Sequence, residues 1–227
     1  MTRILARSAA LAIVASLSLS MSAHARAQDA SYRVAPDQSV LYVQVFKDDG
    51  TVGSGFAHDH VVRATAWSGR ARFDPQRPSC DVEIRVPVAQ LAVDEPAMRR
   101  RVGYDGDLDD DQRADVRESM LGEGQLDADA HPTIDIRVDR CSRMDEQRFR
   151  APVTVTVRGH RATSNVVLRI AFDHDGRMRM RARFSLRHRD LGMEPYSAAL
   201  GAVRNADPIR FVADLVLLPE SSEPGGG

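Results

Sequence analysis

At 227 residues, with 31 basic against 32 acidic side chains and a net charge of −1, the chain lacks the basic excess that nucleic-acid binding would need. The length suits one domain. Arg3 and Arg7, the apolar stretch from Ala9 to Met21, and the small-x-small sites Ala23-His24-Ala25 and Ala25-Arg26-Ala27 read as a secretory leader.

The apolar stretch is too short for a comfortable membrane span, so cleavage is expected after Ala27 and no membrane-spanning segment is expected. Removing Arg3, Arg7 and Arg26 takes the net charge from −1 to −4. The expected domain covers residues 28–219. Residues 220–227, polar and Gly-rich, are expected to be a disordered tail.

Along the domain, apolar and polar residues alternate with period two in one segment after another. Residues 31–46 form a first strand region, and Asp48-Asp49-Gly50 a turn. A second region runs from Val52 to Asp74, with Gly53 and Gly55 suggesting a bulge or bend. Val82, Ile84, Val86 and Val88 mark a third. The period then changes. Asp94-Glu95-Pro96 opens a helical insertion, and Asp109 with Gln112 three residues on gives a capping box for a second helix with Val116, Met120 and Leu121 on its apolar side. Gly122 ends it. Alternation resumes at Ile134/Ile136/Val138, Val153/Val155/Val157, Val166/Leu168/Ile170/Phe172 and Ile209/Phe211/Ala213/Leu215/Leu217. It is nearly perfect from Arg177 to Arg187, where five arginines oppose Met178, Met180, Ala182, Phe184 and Leu186. Strands with one dry and one wet face must close on each other or stack, which predicts a mainly β protein. If they close into a barrel, something must fill its interior.

The densest polar chemistry is Gly53-Ser54-Gly55-Phe56-Ala57-His58-Asp59-His60. On a strand, His58 and His60 would share a face and could grip a metal with a further ligand such as His188 or His160; local hydrogen bonding near a barrel rim is the plainer reading. The aspartates from 105 to 111 fail the calcium-loop pattern, with Asp110 where a turning glycine belongs and Val116 where a bidentate acid belongs. The arginine stripe reads as a wet strand face paired to Asp173, Asp175, Asp207 or Asp214. There is no Gly-x-Ser-x-Gly elbow. Cys80 and Cys141, a lone pair in an exported chain, read first as a disulfide, with free thiols or soft metal ligands as the alternatives.

The order Tyr32-x-x-x-Pro36-Asp37-x-Ser39, Gly69-x-x-x-Phe73-Asp74-Pro75, His131-Pro132-x-Ile134, the Val153–Gly159 strand and Arg189-Asp190-Leu191-Gly192-Met193 resembles the YceI-like family over residues 31–218. The resemblance implies a periplasmic, lipocalin-like antiparallel β-barrel of about eight strands with a helical insertion. It also implies an elongated cavity for a polyisoprenoid or a quinone-like tail, with no assigned catalysis and no cofactor.

The expectation is therefore a non-enzymatic periplasmic protein that holds an isoprenoid-like or other amphiphilic lipid, either alone or as a homodimer. Its cavity would be lined by Phe56, Trp67, Phe73, Phe172, Phe184 and Phe211, with His58 and His60 near the mouth facing a headgroup. The alternatives are a metal-binding or redox-associated protein using His58, His60 and His188, and a hydrolase-like enzyme on a small amphiphile with His58, Asp59 or His188 as general base.

Overall fold

The computed structural model describes residues 30–74 and 79–220. The leader, its cleavage site and all but the first residue of the expected tail lie outside the described residues. Glu220 itself is held, its N–H donating to the Ser31 carbonyl at 2.8 Å.

The strands are β1 (Ala30–Val34), β2 (Val40–Lys47), β3 (His60–Ala64), β4 (Ser68–Asp74), β5 (Ser79–Pro87), β6 (Leu91–Val93), β7 (Thr133–Val138), β8 (Ser142–Arg143), β9 (Arg148–Val157), β10 (His160–Phe172), β11 (Met178–Arg187), β12 (Ser197–Ala198) and β13 (Val203–Pro219). Two helices, α1 (Pro96–Val102) and α2 (Asp110–Leu121), lie between β6 and β7. The strand pairings are antiparallel, and β1 against β13 closes the sheet into a barrel. The pairs β1/β2, β3/β4 and β5/β6 each form one bent wall strand. With β7, β9, β10, β11 and β13 they make an eight-stranded antiparallel barrel, the expected fold class.

The motif residues explain the bends. Pro36 opens a 3-10 turn (Pro36–Gln38) that interrupts the first wall strand, where a fixed φ and a missing N–H cost nothing. The Ser39 hydroxyl then replaces the lost ladder bond, accepting from Val216 N–H at 2.9 Å and donating to the Ala35 carbonyl at 2.6 Å.

The alternation places each dry face inward, as the register confirms: Ile84 faces Ile136, Val153 faces Val138, Leu168 faces Phe149, and Met180 faces Leu215. One end of the barrel is sealed by aromatic packing. The Phe73 ring meets Phe149 edge-on with centroids 5.2 Å apart, and Phe172 at 5.9 Å, with Tyr32 beyond at 6.2 Å from Phe172. The Cys80–Cys141 disulfide ties β5 to the segment after β7 at this end, with Cα atoms 5.3 Å apart.

The arginine stripe lies outside, as read. Arg179 forks onto Asp214 with two 2.8 Å bonds, and Arg181 reaches the same carboxylate at 3.3 Å. Arg187 pairs with Asp190 at 2.9 Å. Such exposed pairs add little stability but keep the wet face wet.

At the opposite end the wall is incomplete in two places. β6 pairs with β3 alone, and β7 runs beside β5 rather than reaching it. There α2 covers the free edge, its Arg117 donating to the carbonyls of Ala89 at 2.9 Å and Leu91 at 3.3 Å. The second place is between β10 and β11, which share only four registered pairs, Arg169–Phe172 with Met178–Arg181. Beyond them the turn Arg189–Leu191 packs against β9, β10 and β11. Gly192 ends this turn at φ +70, and a Cβ there would sit 2.2 Å from the His160 ring, so both backbone and space demand glycine.

Candidate functional site

The covered end holds a partly open cavity of about 240 Å³. Val45, Val62, Leu91 and Ile209 supply strand walls, while Asp115, Val116, Ser119 and Met120 come from α2. Gln125, Leu126, Met193, Tyr196 and Asn205 come from the loops, and His60 and His188 bring the imidazoles. The α2 lid forms where the sequence says it should, because Asp109 caps it: Gln112 N–H donates to the Asp109 carboxylate at 2.8 Å and the Gln112 side chain accepts from Asp109 N–H at 3.0 Å. Behind it, Gln125 bridges two neighbours, donating to the Glu194 carbonyl at 3.1 Å and accepting from Arg158 at 2.8 Å.

Under the cavity lies a buried polar relay. His60 Nδ1 meets Asp94 Oδ2 at 2.6 Å. Asp94 Oδ1 accepts from Val61 N–H and from Arg99 Nη1, each at 3.0 Å. Arg99 spends its other donors on the carbonyls of Asp59, Asp105 and Gly106 at 2.8–3.0 Å. Burial alone would raise the Asp94 pKa. The hydrogen bond and charge of His60, with the bonds from Val61 and Arg99, outweigh it and hold the carboxylate below its usual 3.8.

His188 is built differently. It is buried, and its Nδ1 donates to the Asp207 carbonyl at 2.9 Å, which fixes the tautomer and leaves Nε2 as an acceptor. Burial pushes its pKa below 6.5, and the Asp207 carbonyl only partly opposes this. A histidine depressed in the folded state stabilises fully above its unfolded pKa and loses that contribution as pH falls through the folded value. Stability should therefore begin to fall below about pH 6.5, and His188→Gln should flatten the fall. Unfolding midpoints across that range check it.

Beneath this cavity is a smaller hollow of about 40 Å³, lined by Leu41, Val82, Ile84, Ile136, Leu168 and Met180 and roofed by Phe184 and Phe211. These two rings face each other in register and stack at 5.0 Å with planes 6° apart. The hollow exists because the next inward pair below them is Ala182 against Ala213.

Of the residues expected to line a binding space, His60 lines the larger cavity, and Phe184 and Phe211 the smaller hollow. Phe73 packs in the aromatic seal and Trp67 is buried in the core. Phe172, 44 % exposed, sits beyond Phe73 at the sealed end. Phe56 and His58 lie elsewhere. Residues 53–56 form an outer loop with a 3-10 turn, not the expected bent strand, and β3 starts only at His60. His58 and His60 therefore do not share a strand face, and His58 is exposed. His60 and His188 share the cavity, but among the described residues no three His, Cys, Asp or Glu side chains are placed to hold a metal. The aspartate run serves structure: Asp109 caps α2, Asp110 pairs with Arg113, and Asp107 lies 3.9 Å from Arg100.

Asp94 and Arg99 escape sequence reading. Asp94-Glu95-Pro96 looks like an ordinary helix entry, and nothing in Arg99-Arg100-Arg101 marks the first as the buried one. Tyr196 and Asn205 carry no signal either.

A closed eight-stranded antiparallel barrel with a lidded cavity at one end and an aromatic seal at the other is a lipocalin-like architecture. The YceI-like domain model matches residues 32–216, and the chain belongs to that family. Solved structures agree in fold at low identity. BcnA of Burkholderia cenocepacia superposes with a TM-score of 0.58 at 13 % identity, covering 81 % of this chain and 98 % of that one. A polyisoprenoid binding domain from Saccharophagus degradans, implicated in plant cell wall breakdown, gives 0.56 at 9 %, covering 84 % and 99 %. The YCEI protein of Campylobacter jejuni gives 0.52 at 12 %, covering 71 % and 85 %. No curated protein matches the chain.

Proposed function

We propose that this protein is a non-enzymatic carrier of the bacterial periplasm that holds an amphiphile with an isoprenoid-like or other apolar tail. The observation that carries the reading is the lidded cavity. Its strand walls are aliphatic, and among the polar groups that line it, with Asp115, Ser119, Gln125, Tyr196 and Asn205, are two imidazoles held in different ways. His60 is anchored through Nδ1 by a buried carboxylate, whereas His188 is tautomerically fixed with an acceptor nitrogen. A hydroxyl headgroup, which can both donate and accept, suits that pair. The leader-like N-terminus supports the location, and the polyisoprenoid binding domain of similar fold supports the cargo class.

The cavity of about 240 Å³ is small for a ligand pocket. It takes a short tail, and a longer one must displace the Phe184–Phe211 stack to reach the hollow below. Phe184→Ala should join the two spaces, raising affinity for geranylgeraniol relative to farnesol while costing about 3 kcal/mol of stability. Ala182→Val should narrow the hollow and weaken the longer alcohol alone. Native mass spectrometry after lipid extraction, followed by titration of both alcohols, tests the carrier. Failure of the purified protein to yield or take up any amphiphile would reject it.

A second reading, a hydrolase acting on a small amphiphile, is favoured by one observation: a histidine oriented by a buried aspartate lines a cavity that also contains Ser119. Ester turnover with a bell-shaped pH profile, lost in His60→Gln, would establish it.

A further inference from the structure

We infer that two loops at the cavity end form an apolar foot that seats the barrel on a lipid bilayer surface. One loop runs from Asp48 to Asp59; the other is the tip of the hairpin that joins β12 to β13, within Tyr196 to Arg204. Val52 is 98 % exposed, Phe56 86 %, and Leu200 fully so. Scattered apolar residues on a surface are ordinary, but these belong to one backbone-linked unit. Gly53 N–H donates to the Ala202 carbonyl at 2.8 Å, and Asp48 N–H to the Arg204 carbonyl at 2.8 Å. A Cβ on Gly53 would lie 2.6 Å from the Ala202 oxygen, so the loops meet without intervening side chains.

The backbone carries strain to present this surface. Ala199 and Leu200 have φ of 48° and 57°, a left-handed conformation that L side chains avoid. Leu200 gains no burial in return. Two of the local acids are ion-paired, Asp48 with Arg204 at 2.5 Å and Asp49 with Lys47 at 3.5 Å, while Asp59 accepts from the backbone Lys47 N–H at 2.9 Å. An uncharged set of projecting apolar tips suits the hydrocarbon boundary of a membrane rather than an acidic or basic partner. A second copy of the chain is a poor fit, because three tips offer far less than the ~800 Å² per partner that a stable dimer buries. The unit also adjoins the cavity. One loop ends at His60, and the other lies between the lining residues Tyr196 and Asn205.

The inference rests on the carrier reading only in giving the foot its use, which is bringing the cavity to a membrane that holds cargo. Co-sedimentation of the purified protein with phosphatidylcholine vesicles tests it. Binding is expected, and Val52→Ser/Phe56→Ser/Leu200→Asn should weaken it roughly tenfold or more with an unchanged unfolding midpoint. Asparagine keeps the tolerance for left-handed backbone. Added salt or phosphatidylglycerol should matter little, since the three inserting side chains carry no charge. No binding by the parent protein, equal binding by the variant, binding only to anionic vesicles, or a dimer that the variant dissolves would each overturn the foot. Farnesol binding without vesicles separates the two ideas. Vesicle binding without farnesol binding keeps the foot and removes the carrier, and the reverse removes the foot alone.

Discussion

Asp94→Ala is expected to lower stability by about 3–5 kcal/mol in urea unfolding at neutral pH, because it leaves the Arg99 guanidinium buried without its carboxylate. Both side chains are almost wholly enclosed, and Arg99 also organises the carbonyls of Asp59, Asp105 and Gly106. Asp94 itself sits at φ 50°, which Asp and Asn tolerate better than alanine. Asp94→Asn keeps the shape and suits that backbone, so its smaller loss reports the charge. Replacing both partners, Asp94→Ala with Arg99→Met, should recover part of the deficit. A cost for Asp94→Ala within about 0.5 kcal/mol of zero, the range of ordinary surface changes, would show that the relay is not supporting the fold.

The same residue has a signature in acid. Its folded pKa lies below its unfolded value, so its contribution is complete above about pH 4 and disappears as pH falls through the folded value. Asp94→Asn should lose this acid dependence, while the decline assigned to His188 should persist. The two substitutions thus remove different parts of one curve.

The second large effect is expected from the disulfide. Cys80→Ser with Cys141→Ser should cost about 4 kcal/mol in the chain-entropy account, since the bridge spans 61 residues. That closed loop contains β5, the lid helices and β7, and it is fastened at the aromatic end, opposite the lid. Denaturant midpoints of the double variant against the parent measure it. A loss below about 1 kcal/mol would mean that strand pairing of β5 with β7 already restrains the unfolded chain.

The wall strands were readable because a sheet with one buried face leaves a period-two record in any chain. Asp109 and Gln112 likewise announced α2, since capping is local chemistry. Residues 53–60 read in sequence as bent strand because their glycines fit either a bulge or a loop, and only the contact of Gly53 with Ala202 decides between them. The aromatic residues gave inward direction but not height along the barrel axis. Phe73 and Phe184 have the same kind of strand position, yet one seals an end and the other roofs a hollow, which depends on register with distant strands. Asp94, Arg99, Tyr196 and Asn205 meet the site only through tertiary closure, which no local pattern encodes.

The short pairing of β10 with β11 has a consequence for how the interior is reached. Parting the upper wall there breaks few ladder bonds, and what holds it shut is the turn around Leu191, whose side chain is buried in the core. Amide protons on that flank should exchange with deuterium sooner than those between β9 and β10, whose register is unbroken for ten pairs. Faster exchange there would mark this flank, rather than the α2 lid, as the part of the wall that opens first.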